Sequence, residues 1–348
     1  MKIAMDIREA ASLSPTGKGM WSRRVVEELK KRDIEIVQYG ESCSKGISWH
    51  LKTARLVKKE KPDVYLSPTS FIVPWLIGKK IPTAIVIHDL IAFQNEPHDR
   101  KAKFIERILL PKVLKKAKWI FTVSDETKRI LIEMFPEVDQ KKIITVFEGP
   151  TVEEERNERR TSLRQGYGRQ GGGEEEYVLS IGTLCPRKNQ IRLIKAFNKL
   201  PDEIKKQTKL ILAGGRGWND DEIVKLAEES ENVEWKGYVP DEELRTLLEG
   251  TTLLAYPSLM EGFGLPVLDA MTLGVPVLTS NKSSLPEVAG DAAVLVDPED
   301  ISEIANGLIR LLTDNNLRQL LIEKGYKQAE KFSWDRTVDL MIENMCHS

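Results

Sequence analysis

The sequence predicts an α/β protein built from two parallel sheets, each with helices on both faces. Three observations predict it. Short β-branched or apolar runs alternate with longer segments in which apolar residues recur at three- and four-residue spacing. That alternation starts a second time after residue 176. And 348 residues is a natural length for two domains of about 100–200 residues each. Strands that alternate with helices pair in parallel, because each connection crosses over through a helix.

The first set of expected strands is 2–7, 34–38, 64–66, 83–87, 119–123 and 143–146, with helical patterns at 20–32, 49–59 and 101–116. The second set is 177–181, 209–213, 233–236, 253–256, 275–279 and 293–296. Residues 153–176 are rich in Glu, Arg, Gly and Gln, and Gly171-Gly172-Gly173 breaks any periodicity, which reads as a solvated connector with a hinge. The expected division is 1–155 for the first domain, 156–176 for the connector, 177–331 for the second domain and 332–348 for a C-terminal helix able to cross back to the first. That helix is amphipathic over 334–345, with Ser333 placed to cap it.

Hydrophobic residues at 41% and charged residues at 30% exclude a disordered or collagen-like chain. A net charge of −1 carries no nucleic-acid signature. Its distribution is uneven, +9 over residues 1–150 and −10 over the remainder. Either the first domain turns a basic surface toward an anionic partner or membrane, or the second half simply carries acidic helix surfaces. Three widely spaced cysteines (Cys43, Cys185 and Cys346) fit neither a disulfide framework nor a zinc knuckle, so a cytoplasmic location is expected. The start of the chain meets an acid at Asp6 with no long apolar run behind it, so no signal peptide is expected, and no run of 18 apolar residues occurs.

Ligands of open parallel sheets bind beyond the carboxyl ends of the strands, and two such domains would share a ligand in a cleft. Chemistry is therefore sought in the segments that follow strands. Glu261-Gly262-Phe263-Gly264-Leu265-Pro266-Val267-Leu268-Asp269 follows one of them and opens a helix near Pro266. Its paired glycines let the backbone approach a ligand, and the helix start favours an electron-rich group. The flanking acids Glu261 and Asp269 are either ligand contacts or a loop acid and a solvated helix position.

Arg187 and Lys188 follow the strand at 177–181. Such cations can stabilise negative charge that develops on a bound ligand. Taken alone, the two are equally an ordinary solvated pair. No two aspartates stand at i and i+2 and the four histidines are scattered, so metal-free catalysis fits better than a metal clamp.

His88 ends the run Ala84-Ile85-Val86-Ile87 and precedes Asp89, where an imidazole can exchange hydrogen bonds with a ligand, or serve as a capping or core residue. Thr16-Gly17-Lys18-Gly19 precedes the helix expected from Met20 and is neither a Walker A sequence nor a full dinucleotide fingerprint. Ser124 after its strand reads as a helix cap.

The segment 100–118 carries Arg100, Lys101, Lys103, Arg107, Lys112, Lys115, Lys116 and Lys118 among Phe104, Ile105, Ile108, Leu109 and Leu110, against the single acid Glu106. It reads either as a basic amphipathic segment for a peripheral membrane contact or as a sheet-covering helix with a solvated face. Pro111 is expected to kink or interrupt it.

Glu261 and Asp269, separated by seven residues, resemble the Glu-x7-Glu signature of retaining GT-B glycosyltransferases of family 4. The likeness extends through Gly274-Val275-Pro276-Val277, Ser284-Leu285-Pro286-Glu287-Val288 and Gly290-Asp291-Ala292-Ala293. Upstream, Ile181-Gly182-Thr183-Leu184-Cys185-Pro186-Arg187-Lys188-Asn189, Ala213-Gly214-Gly215-Arg216-Gly217-Trp218 and Gly237-Tyr238-Val239-Pro240 are similar to that family as well. The mannosyltransferase-like branch matches best, over essentially the whole chain, more strongly in its second half.

The resemblance implies a GT-B fold, with two Rossmann-like, doubly wound domains facing across a cleft. It implies transfer of a sugar, first mannose from GDP-mannose and second a UDP-sugar, to a hydroxyl of a glycan or lipid-linked glycan in polysaccharide biosynthesis. No other cofactor is required. Arg187 and Lys188 would face the diphosphate, Asp269 the ribose, and residues 237–240, with Tyr238 and Val239, the base. Glu261 with the backbone of Phe263, Gly264 and Leu265 would grip the sugar, and Thr183 and Gly214 would lie on the donor. His88 would contact the transferred sugar, with Gly17 and Gly19 under the donor phosphates. Retention of configuration would follow from same-face attack, the leaving phosphate helping to deprotonate the acceptor.

Two positions depart from the family's pattern. Asp269 stands where Glu is usual, one carbon–carbon bond or about 1.5 Å shorter, and Thr183 stands where many relatives carry an arginine. A nucleotide-sugar epimerase or hydrolase of the same architecture and a non-catalytic nucleotide-sugar-binding protein are the alternatives. A dehydrogenase fits less well, since only Gly17-x-Gly19 of a dinucleotide fingerprint is present.

Overall fold

Twelve strands form in the computed structural model, which describes residues 1–11, 17–40, 46–93, 100–152 and 176–346, the side chains of 100–102 excepted. The first six are β1 (Lys2–Asp6), β2 (Glu35–Tyr39), β3 (Val64–Ser67), β4 (Thr83–Ile87), β5 (Trp119–Thr122) and β6 (Ile143–Thr145). They make a parallel sheet in the order β2-β1-β3-β4-β5-β6. The second six are β7 (Glu176–Ile181), β8 (Thr208–Ala213), β9 (Val233–Gly237), β10 (Leu253–Tyr256), β11 (Val277–Ser280) and β12 (Val294–Val296). Their parallel order is β12-β11-β10-β7-β8-β9.

Central strands β3, β4, β5, β10 and β11 are buried along their whole length, as continuous apolar runs with helices on both faces must be. Edge strand β9 instead alternates, exposing Glu234 and Lys236 and so blunting an unpaired edge. Strand order reverses between β1 and β3 in one sheet and between β7 and β10 in the other, which are the switch points where such sheets bind ligands.

Two compact units result, Met1–Gly149 with Phe332–Ser348, and Pro150–Lys331. The boundary falls ahead of the expected 155 because the backbone of Thr151 and Val152 is hydrogen-bonded to Asp269. In the first unit the terminal helix Trp334–Cys346 buries Val338 and Met341, accepts a hydrogen bond from Trp119 Nε1 at Asn344 O (2.9 Å), and pairs Asp335 and Asp339 with Arg32 (2.8 and 2.7 Å). A core cluster of the second unit joins Leu193, Ile194 and Phe197 to Leu210, Leu212, Ile304 and Leu308.

Three local expectations change. The helix Gly17–Lys30 starts ahead of Met20, so Gly17, Lys18 and Gly19 lie in its first turn and not in a loop. The helix Arg100–Leu114 continues through Pro111 without interruption. Leu110, Val113 and Leu114 around that proline are buried, and their packing holds the final turn despite the missing N–H. Strand β11 begins at Val277 and not at 275, because Pro276 has no N–H for the ladder.

Cys43, His98, His347 and all of the expected connector except residue 176 lie outside the described residues. Among the described residues, no helix is long and apolar enough to cross a membrane.

Candidate functional site

Strands β7 and β10 are neighbours, so the chain leaves both at the same sheet edge. After β7 it passes through residues 182–185 into the 3-10 turn Pro186–Lys188, closed by Asn189 in the left-handed conformation (φ 63°). The buried Asn189 Nδ2 donates to Pro257 O (2.9 Å) and Pro298 O (2.6 Å). Leu259 N donates to Arg187 O (2.9 Å), and Arg187 Nη1 to Met260 O (2.6 Å). The turn after β7 is thereby stitched to the segment after β10.

That stitching brings Arg187, Lys188 and Glu261 together. Arg187 Nη1 lies 2.7 Å from Glu261 Oε2, and Lys188 Nζ lies 2.7 Å from Oε1. Tyr256, the last residue of β10, donates its hydroxyl to the same Oε1 (2.9 Å) and accepts from Lys188 Nζ, which sits 4.6 Å from the tyrosine ring centre. The backbone of Glu261 is held in turn: its N–H donates to Ser283 Oγ (3.1 Å), and its carbonyl accepts from Ser283 (2.7 Å) and Ser284 (3.0 Å). Ser284 Oγ also reaches Phe263 O (2.7 Å).

Electrostatics set the protonation states. Burial pushes the Glu261 carboxyl up, but Arg187 and Lys188 outweigh it and hold its pKa at about 2. Burial, with Arg187 adding to it against Glu261, lowers Lys188. Burial works against the charged form of Arg187, yet Glu261 leaves it raised. Burial, reinforced by Glu261, keeps the Tyr256 phenol well above its ordinary value, so at neutral pH it is a donor.

Two glycines shape the surroundings. A Cβ on Gly214, after β8, would lie 2.0 Å from Gly182 O, so only glycine permits the approach of the chain ends after β7 and β8. Gly264, at φ +124°, starts the helix Leu265–Thr272, of which Leu265 is the first residue and Pro266 the second.

Asp269 is buried in that helix with both oxygens engaged. Thr151 N donates to Oδ1 (2.6 Å), Thr151 Oγ1 to Oδ2 (2.6 Å), and Val152 N reaches Oδ1 at 3.4 Å. The carboxylate assigned to the ribose thus already accepts from the start of its own unit. Thr183 and Gly214 follow β7 and β8, Thr183 exposed and accepting from Gln190 Nε2 at its carbonyl (3.3 Å). Phe263 is buried beside Ser284. Tyr238 (58% exposed) and the buried Val239 follow β9, two strands from β7, and the triad does not include them.

In the first unit, His88 is buried after β4. Its Nε2 lies 3.0 Å from Pro68 O, its Nδ1 3.5 Å from Glu148 Oε1, and its ring meets Trp21 edge to face at 5.5 Å. Of the two readings the sequence leaves open for His88, a ligand contact or a capping or core residue, the structure gives both ring nitrogens a protein partner. Burial raises the pKa of Glu148, with His88 opposing. Lys18 Nζ lies 3.6 Å from Asp89, which raises the lysine. Burial pushes nearby Glu106 up to about 7, Lys18 opposing and Asp89 adding to it. Ser124 Oγ accepts from Thr127 N (3.0 Å), capping the helix Asp125–Met134.

Tyr256, Ser283, Thr151 and Glu148 carry no signal in the sequence, and Asn189 figures there only as the end of the segment 181–189. Each is a lone polar residue whose partner only the tertiary structure supplies.

Residues 168–328 match the family described as Glycosyl transferases group 1, and residues 15–152 match Glycosyltransferase Family 4. The O-antigen chain mannosyltransferase B of Escherichia coli is 35% identical over 319 residues, covering 90% of this chain and 80% of that protein. Sucrose-phosphate synthase from Thermosynechococcus elongatus superposes with a TM-score of 0.77 at 16% identity, covering 98% of this chain and 97% of that one. HepE from Anabaena, solved in complex with UDP-glucose, gives 0.77 at 16% identity over 100% of both chains. These likenesses show the fold, which is GT-B. The chain belongs to the family 4 glycosyltransferases. It is an enzyme, a glycosyltransferase with a mannosyltransferase among its relatives.

Proposed function

We propose that the protein is a retaining glycosyltransferase that moves mannose from GDP-mannose to a hydroxyl of a glycan or lipid-linked glycan, without a bound metal. The convergence of Arg187, Lys188 and Glu261 at the β7/β10 switch point carries this reading. Two cations against one carboxylate suit a departing diphosphate, and Arg187 Nε is buried with no hydrogen-bond partner among the described residues, a donor that a phosphate oxygen would satisfy. Glu261, ionised and held from three sides, orients the sugar and is not a proton acceptor in the reaction. Retention comes from attack on the face the phosphate leaves, and that phosphate takes the acceptor's proton.

Mannose rests on the likeness to the Escherichia coli mannosyltransferase, whose name also supports a glycan acceptor. A UDP-sugar is the second donor, supported by the UDP-glucose bound in HepE. Asp269 meets the ribose by sharing or exchanging the donors of Thr151, while Thr183, Gly214, Phe263, Gly264 and Leu265 contact the donor with their backbone, and Tyr238 and Val239 lie at the base. Gly17 and Gly19, in the first turn of their helix, lie under the donor phosphates. For His88 to bind the sugar, one nitrogen must exchange Pro68 or Glu148 for a hydroxyl.

The helix Arg100–Leu114 leaves Phe104 (66%), Ile105 (42%) and Ile108 (39%) exposed beside a row of basic residues, which fits a peripheral contact with an anionic membrane on its cytoplasmic face.

A thermal-shift panel of GDP-, UDP- and ADP-sugars followed by transfer assays tests the proposal. GDP-mannose is expected to raise the melting temperature selectively and to give a product of the donor's anomeric configuration. Release of free sugar or an epimer at high rate without acceptor, or tight binding with no turnover, overturns it.

A further inference from the structure

The Glu261 carboxylate is held by three groups of two kinds. Arg187 and Lys188 are charges on long side chains, whereas Tyr256 is a neutral hydroxyl on a ring that is 2% exposed. The tyrosine backbone is locked in the sheet: Tyr256 pairs with Thr279 in β11, and Thr279 Oγ1 donates to Tyr256 O (2.8 Å). A diphosphate that engages both cations competes with Glu261 for them. It attracts the neutral phenol far less, and the phenol keeps its proton because burial and Glu261 hold it well above its ordinary range.

We infer that Tyr256 is a positioning residue, whose hydroxyl keeps Glu261 oriented toward the donor sugar once Arg187 and Lys188 have turned to the diphosphate. This rests on the roles proposed above for those three residues. No bond to carbon or oxygen changes at Tyr256, and its proton stays in place. The titratable groups around Glu261 are Arg187, Lys188, Tyr256 and, beyond them, the buried Cys185.

Tyr256→Phe keeps the ring and its packing and removes only the hydroxyl, with the melting temperature as the check on folding. The full chain is assayed with GDP-mannose and acceptor, and GDP affinity is measured separately by calorimetry. The dissociation constant for GDP is expected to stay within twofold of wild type while kcat falls 10- to 100-fold. The acidic limb of the kcat profile is expected to move to higher pH, because Glu261 loses a donor that favours its charged form. In a double-mutant cycle, Tyr256→Phe added to Glu261→Gln is expected to slow the enzyme less than twofold further. An unchanged kcat, a loss of GDP binding equal to the loss of kcat, or multiplicative losses in the cycle overturns the inference. Wild-type activity in Glu261→Gln instead overturns the site reading itself, so the two failures are distinguishable.

Discussion

Glu261 accepts from two cations and a phenol while almost fully buried, and its substitution therefore has two separable consequences. With the carboxylate held at about 2 against an ordinary 4.5, it stabilises the fold above pH 4.5, and that contribution is lost as pH falls from 4.5 toward 2. The shift corresponds to about 3 kcal/mol. Melting of the wild type is expected to weaken steeply over that window and that of Glu261→Gln much less; parallel curves would show that the carboxylate is not paired in solution. At neutral pH the same variant is expected to lose at least 100-fold in kcat, since the charged carboxylate proposed to orient the sugar is gone. Asp269 offers a second test. If it meets the ribose, Asp269→Ala weakens GDP binding about tenfold, one charge-assisted hydrogen bond's worth, and leaves inorganic pyrophosphate binding unchanged. Equal losses for the two ligands in calorimetry would place the defect in the Thr151 clasp and not at the nucleoside.

The turns after β7 and β8 depend on backbone contact more than on side chains. Gly214→Ala puts a Cβ into Gly182 O, and the nearest relief moves the turn that carries Lys188, whose Cε already lies 3.1 Å from the Cβ position of Gly182. The expected cost is about 2 kcal/mol by urea denaturation, with GDP affinity falling in parallel. A wild-type midpoint would mean that the two turns are farther apart in solution. The helix Leu265–Thr272 is positioned by similar economy: glycine at a positive φ, then Pro266 in the first turn, so its dipole points back toward Glu261 without a side-chain cap.

At the scale of the molecule, the excess of basic residues before residue 150 gathers in part on the helix Arg100–Leu114, beside exposed aromatic and aliphatic side chains. The expected outcome is flotation of the enzyme with anionic vesicles and not with zwitterionic ones, diminished as salt rises from 0.05 to 0.5 M on the order of the Debye screening change. A Phe104→Glu, Ile108→Glu double variant should lose flotation and keep its melting temperature, because both side chains are exposed. Salt-insensitive flotation, or none, removes the membrane contact from the proposal.

By itself the sequence determined the α/β alternation, the positions of all twelve strands to within two residues at every end, and the identity of Arg187, Lys188 and Glu261 as candidates, since hydrophobic period and local motif are properties of neighbouring residues. It placed the glycines near Gly17 ahead of the helix, and it expected Pro111 to kink or interrupt its helix because local propensity was weighed there without the burial of Leu110, Val113 and Leu114. Tertiary structure alone decided what each candidate touches. Glu261 meets Lys188 across 73 positions and Asp269 meets Thr151 across 118, while His88 finds Glu148 only because β4, β5 and β6 lie side by side. Strand order brings those pairs together, and nothing in the spacing of residues along a chain encodes which distant carboxylate a cation will find.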